Sequence, residues 1–223
     1  MKPLFLRWLL LVVLVLPGCG GKKVTVETLK DKFSYSVGLN IGNEIKKDSI
    51  SFDIDVLVQG IKDAQADSSK RLMTPQEAQQ AITAYQQEMM SRRAETNRKE
   101  GQVFLEENKK KEGVITLPSG LQYKVVATGT GKPPRRDQTV ITQYRGTLID
   151  GKEFDSSYRR GEPATFVVGE VIPGWTEALQ LMTVGSRWQL FVPANLAYGE
   201  MGRPPVIGPN ATLIFEIQLL GIK

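Results

Sequence analysis

The 223-residue chain contains no histidine, and its single cysteine is Cys19. Without histidine there is no Ser-His-Asp or Cys-His nucleophilic centre. Without a second cysteine there is no thiolate-imidazole metal site and no disulfide within the chain. Chemistry is left to carboxylates, hydroxyls, backbone groups and apolar surface. Long apolar runs are scarce too: the candidate is residues 8–16, too short to span a bilayer unaided. No basic run is interleaved with aromatics, which argues against nucleic acid as a partner. The formal charge is +5, and two of those charges, Lys2 and Arg7, fall in a segment expected to be removed, leaving +3.

What is present begins with that segment. "MKPLFLRWLLLVVLVLPGCGG" sets Lys2 and Arg7 ahead of the apolar run and small residues behind it, the order of an export signal. Leu16-Pro17-Gly18-Cys19 resembles the bacterial lipobox, in which the cysteine carries lipid. The expectation is a signal peptide over 1–18, lipidation of Cys19, and a membrane anchor in the bacterial cell envelope, at the outer membrane facing the periplasm or the cell surface.

From Val24 the pattern is helical. Leu29, Phe33, Val37, Ile41 and Ile45 recur every fourth residue, and Ile54, Leu57, Val58 and Ile61 follow behind Asp53, an N-cap residue. Thr74-Pro75-Gln76-Glu77 has the form of a capping box with proline at the first helical position. No strong stop precedes Gly113, so the expected helix runs about 38 residues. It is charged beyond Ser91 except for Val103, Phe104 and Leu105, which reads as a solvent-bridging rod between two bodies. Two short helices cannot bury a core alone. The reading is a helical dimerisation domain over 24–73, in which an intertwined homodimer is preferred over a monomer whose helices fold back on the second domain, and a long connecting helix over 74–113.

Beyond about Thr116 the texture turns to strands: "LQYKVV", "QTVITQYRGTL", "ATFVV", "SRWQLFV" and "NATLIFEIQLL", with one short helix from about Pro173 to Leu181. This predicts an α+β domain, an antiparallel sheet with a single covering helix, over 117–223. Trp175 sits one residue past a Pro-Gly break at the mouth of that helix. A ring in that place is expected as wall or floor for something beside the helix, outside the helix's own buried stripe.

"YRGTLIDGKEFDSS", "GEVIPGWTEALQLMTVGSRWQLFVPANLAYGEMG" and "IGPNATLIFEIQLL" are together very similar to the FKBP family of peptidyl-prolyl cis/trans isomerases. The likeness covers nearly all of 119–223. The organisation, with helices ahead of that domain, resembles the bacterial Mip-like and FkpA-like exported lipoproteins. The resemblance implies a bent antiparallel β-sheet wrapped around a short α-helix, preceded by an all-α N-terminal domain. It implies an isomerase that needs no metal or cofactor and acts on proline-containing unfolded or partly folded polypeptides, helping exported proteins fold. Macrolide-type ligands belong to the same implied cleft, though Ala164 stands where many members carry an aromatic residue.

Carried over residue by residue, the resemblance makes Tyr144, Asp155 and Tyr198 the catalytic side chains. Phe154, Val171, Ile172, Trp175 and Phe215 become substrate-binding walls, with Val206 and Ile207 as a flexible rim. Arg160 is the implied partner of Asp155, with its neighbour Arg159 an alternative. Structural readings stand beside these: Asp155-Ser156-Ser157 as an Asx turn, and Tyr144, Phe154 and Phe215 as ordinary core. An alternative function is a dimeric holdase-type chaperone in which isomerisation is secondary, with Val103, Phe104 and Leu105 among the client contacts.

Overall fold

The computed structural model describes residues 24–47 and 52–223; the expected signal peptide and Cys19 lie outside the described residues. Two compact units divide at Leu72 and Met73.

The first unit holds α1 (Leu29–Lys47), α2 (Ile54–Gln65) and a 3₁₀ turn at Ser68–Lys70. Asp53 caps α2 by accepting from the backbone N–H groups of Asp55 and Val56 at 3.0 and 3.1 Å. Thr28 and Asp31 exchange bonds at the start of α1: the Thr28 N–H donates to Asp31 Oδ2 at 2.9 Å, and the Asp31 N–H donates to Thr28 Oγ1 at 3.1 Å. These helices form by local chemistry but leave their apolar stripes unpartnered. Leu29 is 84% and Phe33 68% exposed, and Val37, Ile41, Ile54, Val58 and Ile61 are exposed as well.

The second unit opens with α3 (Pro75–Asn108), which begins in the capping box its sequence predicts: Thr74 Oγ1 accepts from the Glu77 N–H, and Glu77 accepts from the Thr74 N–H at 2.8 Å. The helix is 34 residues long and stops at Asn108, short of the Gly113 expected from sequence. Asn108 is drawn into the following domain, 1% exposed, where its Nδ2 donates to Gln122 Oε1 at 2.9 Å.

The second half of α3 is therefore no solvent-bridging rod. Phe104 packs against Phe191 at 6.0 Å, Gln122 Nε2 donates to the Leu105 carbonyl at 2.9 Å, and Gly101 is buried. A Cβ on Gly101 would stand 2.3 Å from Thr212 Oγ1, so glycine is what lets the helix lie this close. Val103 alone of its apolar trio stays largely exposed. Among the described residues no helix is long and apolar enough to cross a membrane.

The sheet follows from period-two patterning. Its strands are β1 (Val114–Thr116), β2 (Gln122–Ala127), β3 (Thr139–Leu148), β4 (Glu153–Ser156), β5 (Ala164–Val167), β6 (Arg187–Val192) and β7 (Leu213–Ile222), all paired antiparallel in the order β1-β2-β6-β7-β3-β4. Trp188, Leu190 and Val192 stand opposite Ile217, Phe215 and Leu213, so both strands turn the same apolar face inward.

The far edge of β3 is shared. β5 pairs with Thr139–Thr142 and β4 with Arg145–Thr147, while the one-turn helix α4 (Ser157–Arg160) follows β4 directly. The short helix α5 (Pro173–Leu179) buries Trp175, Ala178 and Leu179 against the inward face. The observed class is α+β, an antiparallel sheet with one short helix on it, as the strand and helix patterns predict.

Candidate active site

The site begins with Pro173, whose fixed φ suits the first position of α5. The turn it starts aims Trp175 inward, where its indole is 4% exposed and part of the domain core. This corrects the expectation that the ring stays outside the helix's buried stripe, because the helix is so short that its mouth and its buried face coincide. The rings of Tyr144, Phe215 and Phe166 meet the indole edge to face, at 5.1, 5.2 and 5.6 Å between centroids. Such edge-to-face pairs are favoured by the quadrupoles of the rings. The indole Nε1 has no acceptor among the described residues.

Gly146 on β3 leaves room for the next pair. A Cβ there would come within 2.7 Å of Phe154 and 2.9 Å of Phe215, which instead meet edge to face at 5.6 Å. Tyr144, Phe154, Phe166, Trp175 and Phe215 thus form one aromatic cage. Phe166 was not among the candidates read from sequence, although the alternation in "ATFVV" puts it on the inward face. Val171 and Ile172 are half-buried and pack on the same core, as does Ala164.

Beside the cage, three polar side chains close a ring. Tyr144 Oη donates to Asp155 Oδ2 at 2.6 Å, Arg160 Nη2 donates to Tyr144 Oη at 2.9 Å, and Arg160 Nη1 donates to Asp155 Oδ1. The guanidinium also lies 5.3 Å from the Tyr144 ring centroid. The backbone of Tyr144 is fixed from the other side, its N–H donating to Ser157 Oγ at 2.8 Å.

Burial acts to raise the Asp155 carboxyl, but the hydrogen bonds from Tyr144 and Arg160 outweigh it and hold the group below its ordinary value. Burial, with the bond to Asp155 behind it, raises the Tyr144 hydroxyl above its ordinary value, so at neutral pH it keeps its proton as a donor. Two alternatives left open by the sequence close here. Ser156, not Asp155, caps α4, its Oγ accepting from the Arg159 N–H at 3.3 Å. Arg159 turns to Glu153 at 3.5 Å, which leaves Arg160 as the partner of Asp155.

Tyr198 follows a 3₁₀ turn at Ala194–Leu196 and is half-buried against the core. Arg203, which sequence reasoning did not single out, lies over it: its guanidinium is 5.8 Å from the ring centroid, and Nη1 donates to the hydroxyl at 3.4 Å. Nothing in "GEMGRPPVIGP" marks that cation in advance, because the contact depends on how the loop folds back.

The loop expected as a rim carries a backbone bridge. Arg203 and Ile207 exchange backbone bonds of 2.8 and 3.1 Å, and Ile207 is 4% exposed, while Val206 stays half-buried. Two cavities, of about 490 and 260 Å³, open beside α3. Both include Phe104 and neither touches the cage; they offer no hydroxyl-carboxylate pair. The chemistry of the cage makes it the stronger candidate.

Comparison with known proteins places these observations in a family. Residues 130–220 match the model for FKBP-type peptidyl-prolyl cis-trans isomerase, and residues 30–125 match that for the domain amino terminal to it. The outer membrane protein MIP of Legionella longbeachae is 46% identical over 206 residues, covering 89% of this chain and 88% of that protein. The FKBP-type peptidyl-prolyl cis-trans isomerase FkpA of Escherichia coli K12 is 41% identical over 206 residues, covering 86% and 75%. The crystal structure of FkpA from Escherichia coli superposes with a TM-score of 0.70 at 38% identity, covering 89% of this chain and 99% of that one.

Proposed function

The chain belongs to the FKBP-type peptidyl-prolyl cis/trans isomerases, and from that premise we propose that it turns X-Pro bonds over the aromatic cage, with Trp175 beneath the prolyl ring. Tyr144, Asp155 and Tyr198 are the polar groups of the reaction in this reading. Phe154, Val171, Ile172, Phe215, Val206 and Ile207 line the substrate's path. The observation that carries it is the cage itself, three rings edge to face on one indole with a hydroxyl-carboxylate-guanidinium ring at its side.

The reaction breaks no covalent bond, so the missing histidine is no obstacle. Resonance in the amide opposes rotation with a barrier of about 18 to 20 kcal/mol, and X-Pro exchange is slow enough to limit folding. The planar amide is more charge-separated than the twisted one. An aromatic surround therefore disfavours the ground state relative to the transition state. Tyr198 supplies a hydroxyl to a substrate carbonyl, while Asp155, held ionised by Arg160 and Tyr144, sets the polarity of the other wall. Lowering the barrier by about 5 to 6 kcal/mol gives about 10⁴-fold acceleration.

The test is proline-limited refolding of a model protein. Acceleration by the folded chain, lost in Tyr198→Phe and Asp155→Leu, is expected; a folded chain that accelerates nothing overturns the reading. The holdase alternative is not favoured, since the relatives are named as isomerases and Phe104 and Leu105 are half-buried against the sheet.

Two further parts of the reading concern where the enzyme works. The unpartnered stripes of α1 and α2 support a homodimer, because burying them against a second copy removes apolar area that no described element covers. The lipobox-like residues ending at Cys19, and the outer-membrane name of the Legionella longbeachae relative, support a lipid anchor in the cell envelope. Macrolide-type ligands would enter the same cage, held less firmly on the side where Ala164 stands.

A further inference from the structure

Arg203 is an exposed cation whose backbone is fixed and whose charge is unspent. Its N–H and C=O both bond Ile207, which is itself buried in the domain core, while its side chain reaches back over Tyr198. The guanidinium stands 5.8 Å from the ring centroid, and the bond from Nη1 to the hydroxyl is long, at 3.4 Å. Guanidinium has five donors, and this contact uses one of them weakly.

Among the described residues no carboxylate forms an ion pair with Arg203. Glu200, the nearest in sequence, makes none with it. The cage's other cation, Arg160, is already committed to Asp155. The rim beside Tyr198 therefore presents a positive group with free donors to whatever flanks the bound proline.

We propose that Arg203 is a specificity-determining residue that favours substrates with Asp or Glu immediately beside the proline. The inference rests on the reading of Tyr198 as the hydroxyl that meets a substrate carbonyl: a side chain one residue from that carbonyl falls within reach of a guanidinium already at the hydroxyl. A planar fork with paired donors matches a carboxylate well. An exposed pair of this kind shifts an equilibrium by about two- to five-fold and weakens with salt, the Debye length being about 8 Å at 0.15 M.

The experiment uses the full chain with two sets of short peptides, carrying Glu, Gln or Lys immediately before the proline in one and immediately after it in the other. In each set kcat/KM is measured for wild type, Arg203→Gln and Arg203→Glu, at low salt and near 1 M. The expected result is a Glu-over-Gln preference of about two- to five-fold in at least one set and a penalty on Lys. The preference shrinks towards one in Arg203→Gln, inverts in Arg203→Glu and fades at high salt. A wild-type ratio of one in both sets, or the same ratio in Arg203→Gln, overturns the inference and leaves the isomerase reading intact. If folded wild type turns over none of the peptides, the isomerase reading itself fails and the inference goes with it.

Discussion

The side-chain amide of Asn97 on α3 donates a 2.7 Å hydrogen bond to the carbonyl of Pro209, which lies two residues beyond Ile207 in the loop beside the cage. Arg93 and Asn97 also crowd Gly208, where a Cβ would come within 2.9 and 3.0 Å of them. The helix ahead of the sheet domain is thereby a brace for one wall of the proposed site.

Asn97→Ala removes a bond worth about 0.5 to 1.5 kcal/mol. The expected outcome is a KM raised by up to several-fold with kcat less affected, and faster amide exchange at Ile207. Steady-state kinetics on a proline peptide and hydrogen exchange check it. Unchanged exchange would show that the loop is held by its own bridge to Arg203 alone.

Gly101→Ala sets two effects against each other. Alanine gains up to about 1 kcal/mol of helix propensity, yet its Cβ would meet Thr212 Oγ1 at 2.3 Å. Overpacking of this kind costs about 1 to 3 kcal/mol, so net destabilisation is expected. The double change Gly101→Ala with Thr212→Ala should recover most of it, and denaturant midpoints of the four proteins measure the coupling.

Asp155 carries a pH signature. Its folded carboxyl lies below the unfolded value of about 3.9, so its stabilising contribution is complete above about pH 5 and is lost as pH falls through the folded value. Wild type and Asp155→Asn should therefore differ most from about pH 5 upward, with the gap shrinking below about pH 4 and closing only once pH is below the folded value. Unfolding midpoints across pH 3 to 7 check this, and a gap constant over that range would contradict it.

Trp175→Ala should remove fold and activity together, since a buried aromatic truncated to alanine costs about 3 to 5 kcal/mol. The informative change is Trp175→Phe, which keeps a ring in the core. With the fold retained, kcat/KM is expected to drop about tenfold, equal to about 1.4 kcal/mol of transition-state binding. A Phe variant with wild-type kinetics would make the indole ordinary core.

Phe33→Glu places a charge in the exposed stripe of α1, where Phe33 is 68% exposed. If that stripe is the dimer contact, the solution mass falls from two chains to one while isomerase activity on short peptides persists. An unchanged mass would move the contact elsewhere.

Much of this was legible in residue order because it depends on near neighbours. The capping box at Thr74 and Glu77, the cap at Asp53 and the alternation along β6 and β7 each lie within a few residues, where backbone geometry alone decides what meets what. The motifs around Tyr144, Asp155, Trp175 and Phe215 were legible through family resemblance. Long-range packing alone decided the rest. Residue order left α3 a solvated rod and missed Phe166 and Arg203, because burial of Asn108 and Gly101, the ring contact of Phe166 and the reach of Arg203 over Tyr198 follow from how strands and loops stack. A helix that looks polar all round can still dock through one glycine, one phenylalanine and one buried amide, since a close approach needs only a few small or complementary groups at the contact. The residue types thus set which elements form and what chemistry is available, while the packing of those elements sets which side chains share a site.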